Sequence, residues 1–166
     1  MALGVRTEVR SVSQTLMRTS VRTPLRLRKS YHPQPIMAFH INDAVSIDLD
    51  AFVPNAAKME WRKIATSEQY REGHEKFLEL ISKEQVVRWV LNFRDAKKIQ
   101  VPDQNWTIQE WFPRAVQTSA QKIAIVLSSD IFAQIAVRNI INSVTTSGLQ
   151  VAFFETEEDA KGWLIL

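Results

Sequence analysis

The chain has 166 residues, of which 45% are hydrophobic and none is cysteine. That length suits one domain with its own core and is short for two domains of ordinary size. The lack of cysteine excludes disulfides, thiolate metal sites and cysteine catalysis, and it fits a reducing compartment, so we expect a cytoplasmic protein. The apolar runs have the length of strands, far below the roughly 20 residues of a membrane-spanning helix, which favours a soluble protein.

The formal net charge of +3 is divided unevenly along the chain. Residues 1–36 contain seven Lys and Arg residues and a single acidic one, Glu8, whereas residues 37–166 contain 14 basic and 17 acidic residues. The larger part is therefore mildly acidic and offers no broad surface for phosphate groups. Nucleic acid is not an expected partner.

Residues 1–36 are rich in Arg, Ser and Thr and show no sustained apolar periodicity, so they cannot build a core. Three interpretations compete: an organelle transit peptide, a disordered basic arm, or translated sequence upstream of the true start. We favour the third, because Met37 stands directly before the first strand-like run. A secretory signal peptide is not expected, since no apolar h-region is present. Residues 37–166 are expected to form the folded domain.

The first half of that domain predicts three strands, a helix and a fourth strand. A hairpin turns at Asp43 and Ala44, and a third strand covers Met59–Lys63. A helix follows from Ser67, its expected cap, to about Ser82, with one apolar stripe that includes His74. The mostly apolar segment Val86–Phe93 then predicts a central strand.

The last third of the chain indicates the architecture most clearly. Strands Lys122–Leu127 and Gln150–Glu155 flank one helix, Asp130–Val144, which is the pattern of a parallel pair joined by a crossover. A short helix, Glu157–Leu164, comes last. The full order is β-β-β-α-β-α-β-α-β-α, and the predicted fold is a single α/β domain with a mixed, mostly parallel sheet, an N-terminal antiparallel hairpin and about four helices.

Helix ends and interruptions can also be predicted. Ser128 or Ser129 is the expected cap of the helix before the last strand, and Gly148 is its expected stop. In the preceding helix, Pro113 removes one backbone hydrogen bond. A kink or break is therefore expected near Trp111.

Four segments carry a recognisable pattern: RWVLNFRDA from Arg88, EWFPRA from Glu110, KIAIVLSSDIF from Lys122 and GLQVAFFETEEDAKGWL from Gly148. Together they resemble the small SpoIIAA-like proteins of the STAS superfamily, particularly uncharacterised bacterial members of about this length. The resemblance implies a mixed sheet with helices on its faces. It also implies a relation to anti-sigma-factor antagonists and, more distantly in shape, to CRAL-TRIO lipid-binding domains.

The anti-sigma-factor antagonists are switched by phosphorylation of a Ser at the start of the helix after the central strand. The corresponding stretch here, residues 94–106, contains no Ser or Thr. Thr107 is the nearest hydroxyl and should already lie inside the helix, while Ser128 and Ser129 are better explained as caps. We therefore expect no phosphorylation switch in this region.

No motif for catalysis or for a cofactor is present. The three histidines are scattered, and the four glycines are too few and too far apart for a nucleophile elbow, a phosphate loop or a dinucleotide fingerprint. His74 is best interpreted as a satisfied, partly buried side chain, and the pair Lys97 and Lys98 as a solvated loop. We expect no enzyme activity, no cofactor and no metal.

Ligands of open α/β sheets collect at the carboxyl ends of the parallel strands, so that edge is the predicted ligand or partner site. Trp106 and Trp111 bracket the kinked helix beside it and could wall an apolar pocket or a partner groove. Core packing is the alternative, more so for Trp111, and an Arg–Asp pair at a strand end is usually structural. The residues of the predicted edge are Arg94, Asp95, Ser128, Ser129, Glu155 and Thr156.

The sequence leaves two functions open. The first is a non-enzymatic regulatory or protein-interaction domain, with a protein partner or a homodimer, which follows from the SpoIIAA-like pattern. The alternative is a carrier or sensor of a small apolar, lipid-like ligand, which follows from the distant CRAL-TRIO likeness and the Trp-rich helix.

Overall fold

The computed structural model describes residues 40–144 and 148–166. The predictions for residues 1–36 and for Met37 as the start lie outside this description. The strands are β1 (His40–Ile41), β2 (Val45–Leu49), β3 (Ala56–Trp61), β4 (Arg88–Asn92), β5 (Lys122–Val126) and β6 (Gln150–Phe154). The helices are α1 (Ser67–Lys83), α2 (Val101–Trp106), a π-helical turn (Thr107–Trp111), α3 (Phe112–Ala115), α4 (Ile131–Ser143) and α5 (Glu157–Ile165). None of the helices described is long and apolar enough to cross a membrane.

The six strands form one mixed sheet in which they follow each other in chain order, from β1 to β6. β1, β2 and β3 pair antiparallel, and β3, β4, β5 and β6 pair parallel. The predicted order of elements, the N-terminal hairpin and the α/β fold class are confirmed. β3 begins three residues earlier than predicted, because Ala56 and Ala57 already pair with β4.

The two faces of the sheet carry separate apolar clusters. On one face α1, the π turn, α3 and α4 pack over the sheet, where they meet Trp89, Leu91 and Phe93 of the β4 segment. On the other face α5 packs against the sheet, and its Leu164 belongs to the same apolar cluster as Val90. The side chains of the predicted central strand thus alternate between the two faces of the sheet. Three connecting helical segments thus share one face of the sheet, and the C-terminal helix covers part of the other.

The cap of α1 is Thr66 and not the predicted Ser67. The Thr66 hydroxyl accepts a hydrogen bond from the Gln69 amide at 3.2 Å, and the Gln69 side chain returns one from the Thr66 amide at 3.1 Å. This reciprocal pair needs Gln or Glu three residues after the cap, which Thr66 has and Ser67 lacks. The Ser67 hydroxyl instead donates to a carboxylate oxygen of Asp103 at 2.6 Å.

The predicted ends of α4 also need correction. Its cap is Asp130, whose carboxylate accepts a hydrogen bond from the Ala133 amide at 3.0 Å, and not Ser128 or Ser129. The helix ends at Ser143, well before Gly148. Gly148 has a φ of +88°, a left-handed conformation that glycine adopts without strain, and it leads the chain into β6.

Candidate functional site

The carboxyl ends of the parallel strands meet at one edge of the sheet. Asn92 at the end of β4 pairs with Val126 of β5, and Val126 pairs with Phe154 of β6. The six predicted edge residues come one to three residues after these positions in the chain. Four of them have exposed side chains: Arg94, Asp95, Ser129 and Glu155.

The two remaining hydroxyls of this edge are occupied by structural bonds. Ser128 is buried, donates to the carbonyl oxygen of Ala96 at 2.6 Å and accepts from the Asp130 amide at 3.0 Å. It therefore ties the loop after β4 to the start of α4. Thr156 caps α5 by accepting a hydrogen bond from the Asp159 amide at 3.1 Å.

A charged network lies on the α5 face of the sheet, below this edge. Asn92 donates to Glu157 at 2.8 Å, and Lys161 reaches both Glu157 at 2.7 Å and Asp50 at 2.9 Å. Burial alone would raise the pKa of Glu157, but its bonds to Lys161 and Asn92 and the charge of Lys58 outweigh burial and lower the pKa. Sequence reasoning missed this network, although Asn92 stands out as a polar residue within an apolar strand.

Trp106 and Trp111 both pack around His74 of α1. Their rings lie 6.0 Å and 4.7 Å from the imidazole, both edge-on to it. Trp111 is almost fully buried, and its indole N–H donates to the carbonyl oxygen of His74 at 2.7 Å. Trp106 is nearer the surface, where the guanidinium of Arg71 lies 5.2 Å from its ring centre. Core packing thus describes Trp111, as the alternative interpretation expected.

His74 is held as a neutral, buried side chain. It is 3% exposed, and its Nδ1 lies 2.9 Å from the carbonyl oxygen of Tyr70. A carbonyl only accepts hydrogen bonds, so Nδ1 carries the hydrogen. Burial lowers the pKa of His74 to about 4, although the bond to Tyr70 and the charges of Glu75 and Asp103 act in the opposite direction. At neutral pH the ring is therefore an uncharged part of the core.

A buried polar network joins α1 to the segment formed by α2 and the π turn. Asp103 is 2% exposed and accepts from the Ser67 hydroxyl and, at 3.1 Å, from Nε of Arg71. The Thr107 hydroxyl donates to the Asp103 carbonyl oxygen at 2.8 Å, so the Tyr70 hydroxyl must donate to Thr107 at 3.0 Å. Burial raises the pKa of Tyr70, which stays protonated. No local pattern in the sequence marks Asp103 as a buried member of such a network.

The π turn occupies the place where a kink or break was predicted. The amide of Phe112 bonds to the carbonyl oxygen of Thr107, five residues earlier, and Pro113 follows directly. Pro113 cannot donate to Gln109, so the α-helical pattern cannot continue unchanged there, and a wider turn takes its place. Short π-helical segments inside α-helices are frequent at functional sites.

The π turn, α1, α4 and the sheet line a small apolar cavity of about 20 Å³. Known ligand pockets span roughly 300–1,000 Å³, so the cavity in this form holds no more than a water-sized group. The lining residues are Tyr70, His74, Leu91, Phe93, Thr107, Trp111, Ile125, Val137, Ile140 and Ile141.

An exposed apolar surface lies at the start of α4, directly after Ser129. Ile131, Phe132 and Ile135 are 58%, 69% and 49% exposed, and we call these three residues the α4 patch. Val101 of α2, the helix that contacts α4, is exposed as well. Apolar residues are spread over a wide arc of α4, and a sequence pattern does not show which part of such an arc the fold leaves uncovered.

Within the described part of the chain, no group of three or more His, Asp or Glu side chains is placed to hold a metal ion. Comparison with known proteins gave no match to a curated protein or to a solved structure. A family model for SpoIIAA-like proteins matches residues 57–165, which span the parallel strands and all the helices described above. The chain therefore belongs to the SpoIIAA-like family.

Proposed function

We propose that this domain is a non-enzymatic regulatory or interaction module that binds a partner protein through the α4 patch. The observation that carries the proposal is the exposure of three large apolar side chains on the first two turns of one helix. Burying one such side chain contributes about 1.5–3 kcal/mol, so an uncovered group of three is a favourable centre for an interface.

The surroundings of the patch also fit a protein interface. Such interfaces have an apolar centre and a polar rim. The bond from Ser128 to Ala96 brings the loop after β4 next to the start of α4. The exposed side chains of Arg94, Asp95 and Ser129 can then form the rim. In this way the predicted sheet edge and the patch become parts of one binding surface.

The same geometry favours a binder without the phosphorylation switch of anti-sigma-factor antagonists. Thr107, the first hydroxyl after β4, is buried and fully engaged with Asp103 and Tyr70. Ser128 is buried too. The binding surface is therefore formed without modification of either residue.

The second candidate, a carrier or sensor of a small apolar ligand, is favoured by the apolar cavity beside the π turn. The cavity must first widen, through separation of α4 from the π turn, before a lipid-like molecule fits. Trp111, Val137 and Ile141 would then line the ligand site. Because the cavity offers so little space, the interaction module is the better-supported function.

Paired surface variants distinguish the two functions. Three proteins are immobilised in parallel: the wild type, the patch variant Phe132→Asp and the control variant Ile64→Asp. The control changes an exposed isoleucine outside the patch. Each is incubated with the soluble lysate of its native host, and bound proteins are quantified by mass spectrometry. We expect a stoichiometric partner that the wild type and Ile64→Asp retain and Phe132→Asp loses at least tenfold. Equal retention by Phe132→Asp would overturn the proposal, and a co-purified lipid-like mass in native mass spectrometry would establish the carrier instead.

A further inference from the structure

β6 is an edge strand whose own sequence offers no protection against pairing. It lies at the end of the sheet and pairs only with β5 among the strands described. Its sequence, QVAFF, contains no charged residue and no proline, and its last four side chains are half-buried. Edge strands are commonly protected from pairing by charges, by proline or by being very short, as the two-residue β1 is at the opposite edge.

The backbone direction shows which groups of β6 point away from the sheet. The Gln150 amide donates to Gln121, and the Phe154 carbonyl oxygen accepts from Leu127. Gln150 and Phe154 therefore face β5, as does Ala152 between them, since successive residues alternate in direction. The amides and carbonyls of Val151 and Phe153 face outward, with two donors and two acceptors.

We propose that two copies of this chain pair through β6, antiparallel, about a two-fold axis at Ala152. In this register Val151 lies opposite Phe153 of the second copy, and each such pair exchanges two N–H···O bonds, so the two pairs form four bonds. A two-fold axis at Val151 or at Phe153 would leave one of the outward-facing residues without a partner inside the strand. The register with the axis at Ala152 is thus the one in which both outward-facing residues of β6 form all their backbone hydrogen bonds.

Side chains fit the same register. Val151 and Phe153 both lie on the α4 face of the sheet, where a β-branched residue opposite an aromatic one is a favourable cross-strand pair. Ala152 meets its own copy at a position without hydrogen bonds, where the Cα atoms approach to about 4.5 Å and two methyl groups fit without a clash. No like charges meet within the strand. A second copy is therefore a better occupant than a strand of unrelated sequence.

Cysteine trapping tests the axis directly, because the chain has no cysteine of its own. In the dimer, Ala152→Cys places two thiols across the axis at a Cα distance suited to a disulfide. We expect this variant to form a covalent dimer nearly completely under mild oxidation, while Ser82→Cys, at an exposed position on α1, remains mainly monomeric. Equal cross-linking of the two variants would contradict the proposed axis.

A proline substitution tests the backbone bonds. Val151→Pro removes an outward-facing amide that the monomer's own sheet does not use, so the fold should persist. In sedimentation we expect the wild type and Val151→Thr to have the mass of a dimer and Val151→Pro that of a monomer, with similar circular dichroism. A wild type that stays monomeric up to its solubility limit would overturn the proposal, and so would a folded Val151→Pro that remains dimeric. The patch variant Phe132→Asp should still dimerise, which separates this proposal from the partner site.

Discussion

The indole N–H of Trp111 and the carbonyl oxygen of His74 form a 2.7 Å hydrogen bond that joins the π turn to the middle of α1. The two residues are 37 positions apart in the chain. Trp111 also contacts the ring of Trp89 on β4, so one side chain links two helical segments and the sheet. The packing of this face depends strongly on that contact.

Trp111→Phe should therefore lower the free energy of unfolding by about 2–4 kcal/mol, through a lost hydrogen bond and a cavity in the core. Trp163→Phe on α5 is the matched control, since Trp163 is only partly buried. We expect that change to cost less than about 1 kcal/mol. Urea denaturation of both variants measures the difference, and equal losses would contradict the role given to Trp111.

Two helical glycines should respond to alanine with opposite signs. A Cβ at Gly73 would lie 2.8 Å from Cγ1 of Val45 and 3.1 Å from Cη2 of Trp61, because α1 crosses the sheet closely there. A Cβ at Gly162 on α5 would meet nothing within 4 Å. Gly73→Ala should destabilise the protein by about 1–3 kcal/mol through overpacking. Gly162→Ala should stabilise it by up to about 1 kcal/mol through helix propensity. Thermal unfolding shows both signs, and a stabilised Gly73→Ala would refute the close approach of α1 to the sheet.

Stability should fall in mild acid because of His74. Its pKa is lowered to about 4 in the fold, against about 6.5 in an unfolded chain. The unfolded state therefore binds the proton first. The stabilising contribution of the neutral ring is complete above about pH 6.5 and is lost as the pH falls toward 4.

The comparison with His74→Asn isolates this contribution, since that variant keeps a side-chain donor but does not titrate. Between pH 7 and about pH 4.5, the stability advantage of the wild type over the variant should shrink by about 2–3 kcal/mol. Carboxylates also titrate in this pH range, but they do so in both the wild type and the variant. Their effect on stability therefore cancels in the difference. Denaturant unfolding at the two pH values is the measurement, and a constant difference would mean that His74 does not stay neutral in the fold.

The fold was predictable from the sequence because the signals that determine it are local. Periods of two and of 3.6 residues separate strands from helices, and the helix between β5 and β6 requires a parallel crossover. Helix caps were predicted less well. Thr66 and Ser67 are adjacent hydroxyls, and the choice between them depends partly on Asp103, which lies 36 residues beyond Ser67.

The site was predictable only in part, for a physical reason. The rule on strand ends correctly brings Arg94, Ser129 and Glu155 to one edge, because parallel register is regular. Side-chain contacts between distant elements have no local signal, so the packing of both tryptophans around His74 did not follow from their spacing. Nor does an apolar arc reveal which of its residues a fold leaves exposed, as it does Phe132.

Thr107 carries the first side-chain hydroxyl after β4. Thr107 is 2% exposed. Its hydroxyl donates to the Asp103 carbonyl oxygen and accepts from the Tyr70 hydroxyl. A phosphate there would add about two negative charges next to buried Asp103. A kinase could reach the hydroxyl only after this part of the helix had opened.

We therefore expect no phosphate on Thr107 after incubation of the protein with ATP and the lysate of its native host, as measured by phosphopeptide mapping. Thr107→Val keeps the shape of the side chain but leaves Tyr70 without its acceptor, so it should lower stability by about 1–3 kcal/mol and leave the phosphopeptide map unchanged. Stoichiometric phosphate on Thr107 would show that the π turn opens readily and that the switch of the anti-sigma-factor antagonists survives in altered form. Phosphate on the exposed Ser129 would instead place a regulatory charge beside the α4 patch, where it would act directly on partner binding.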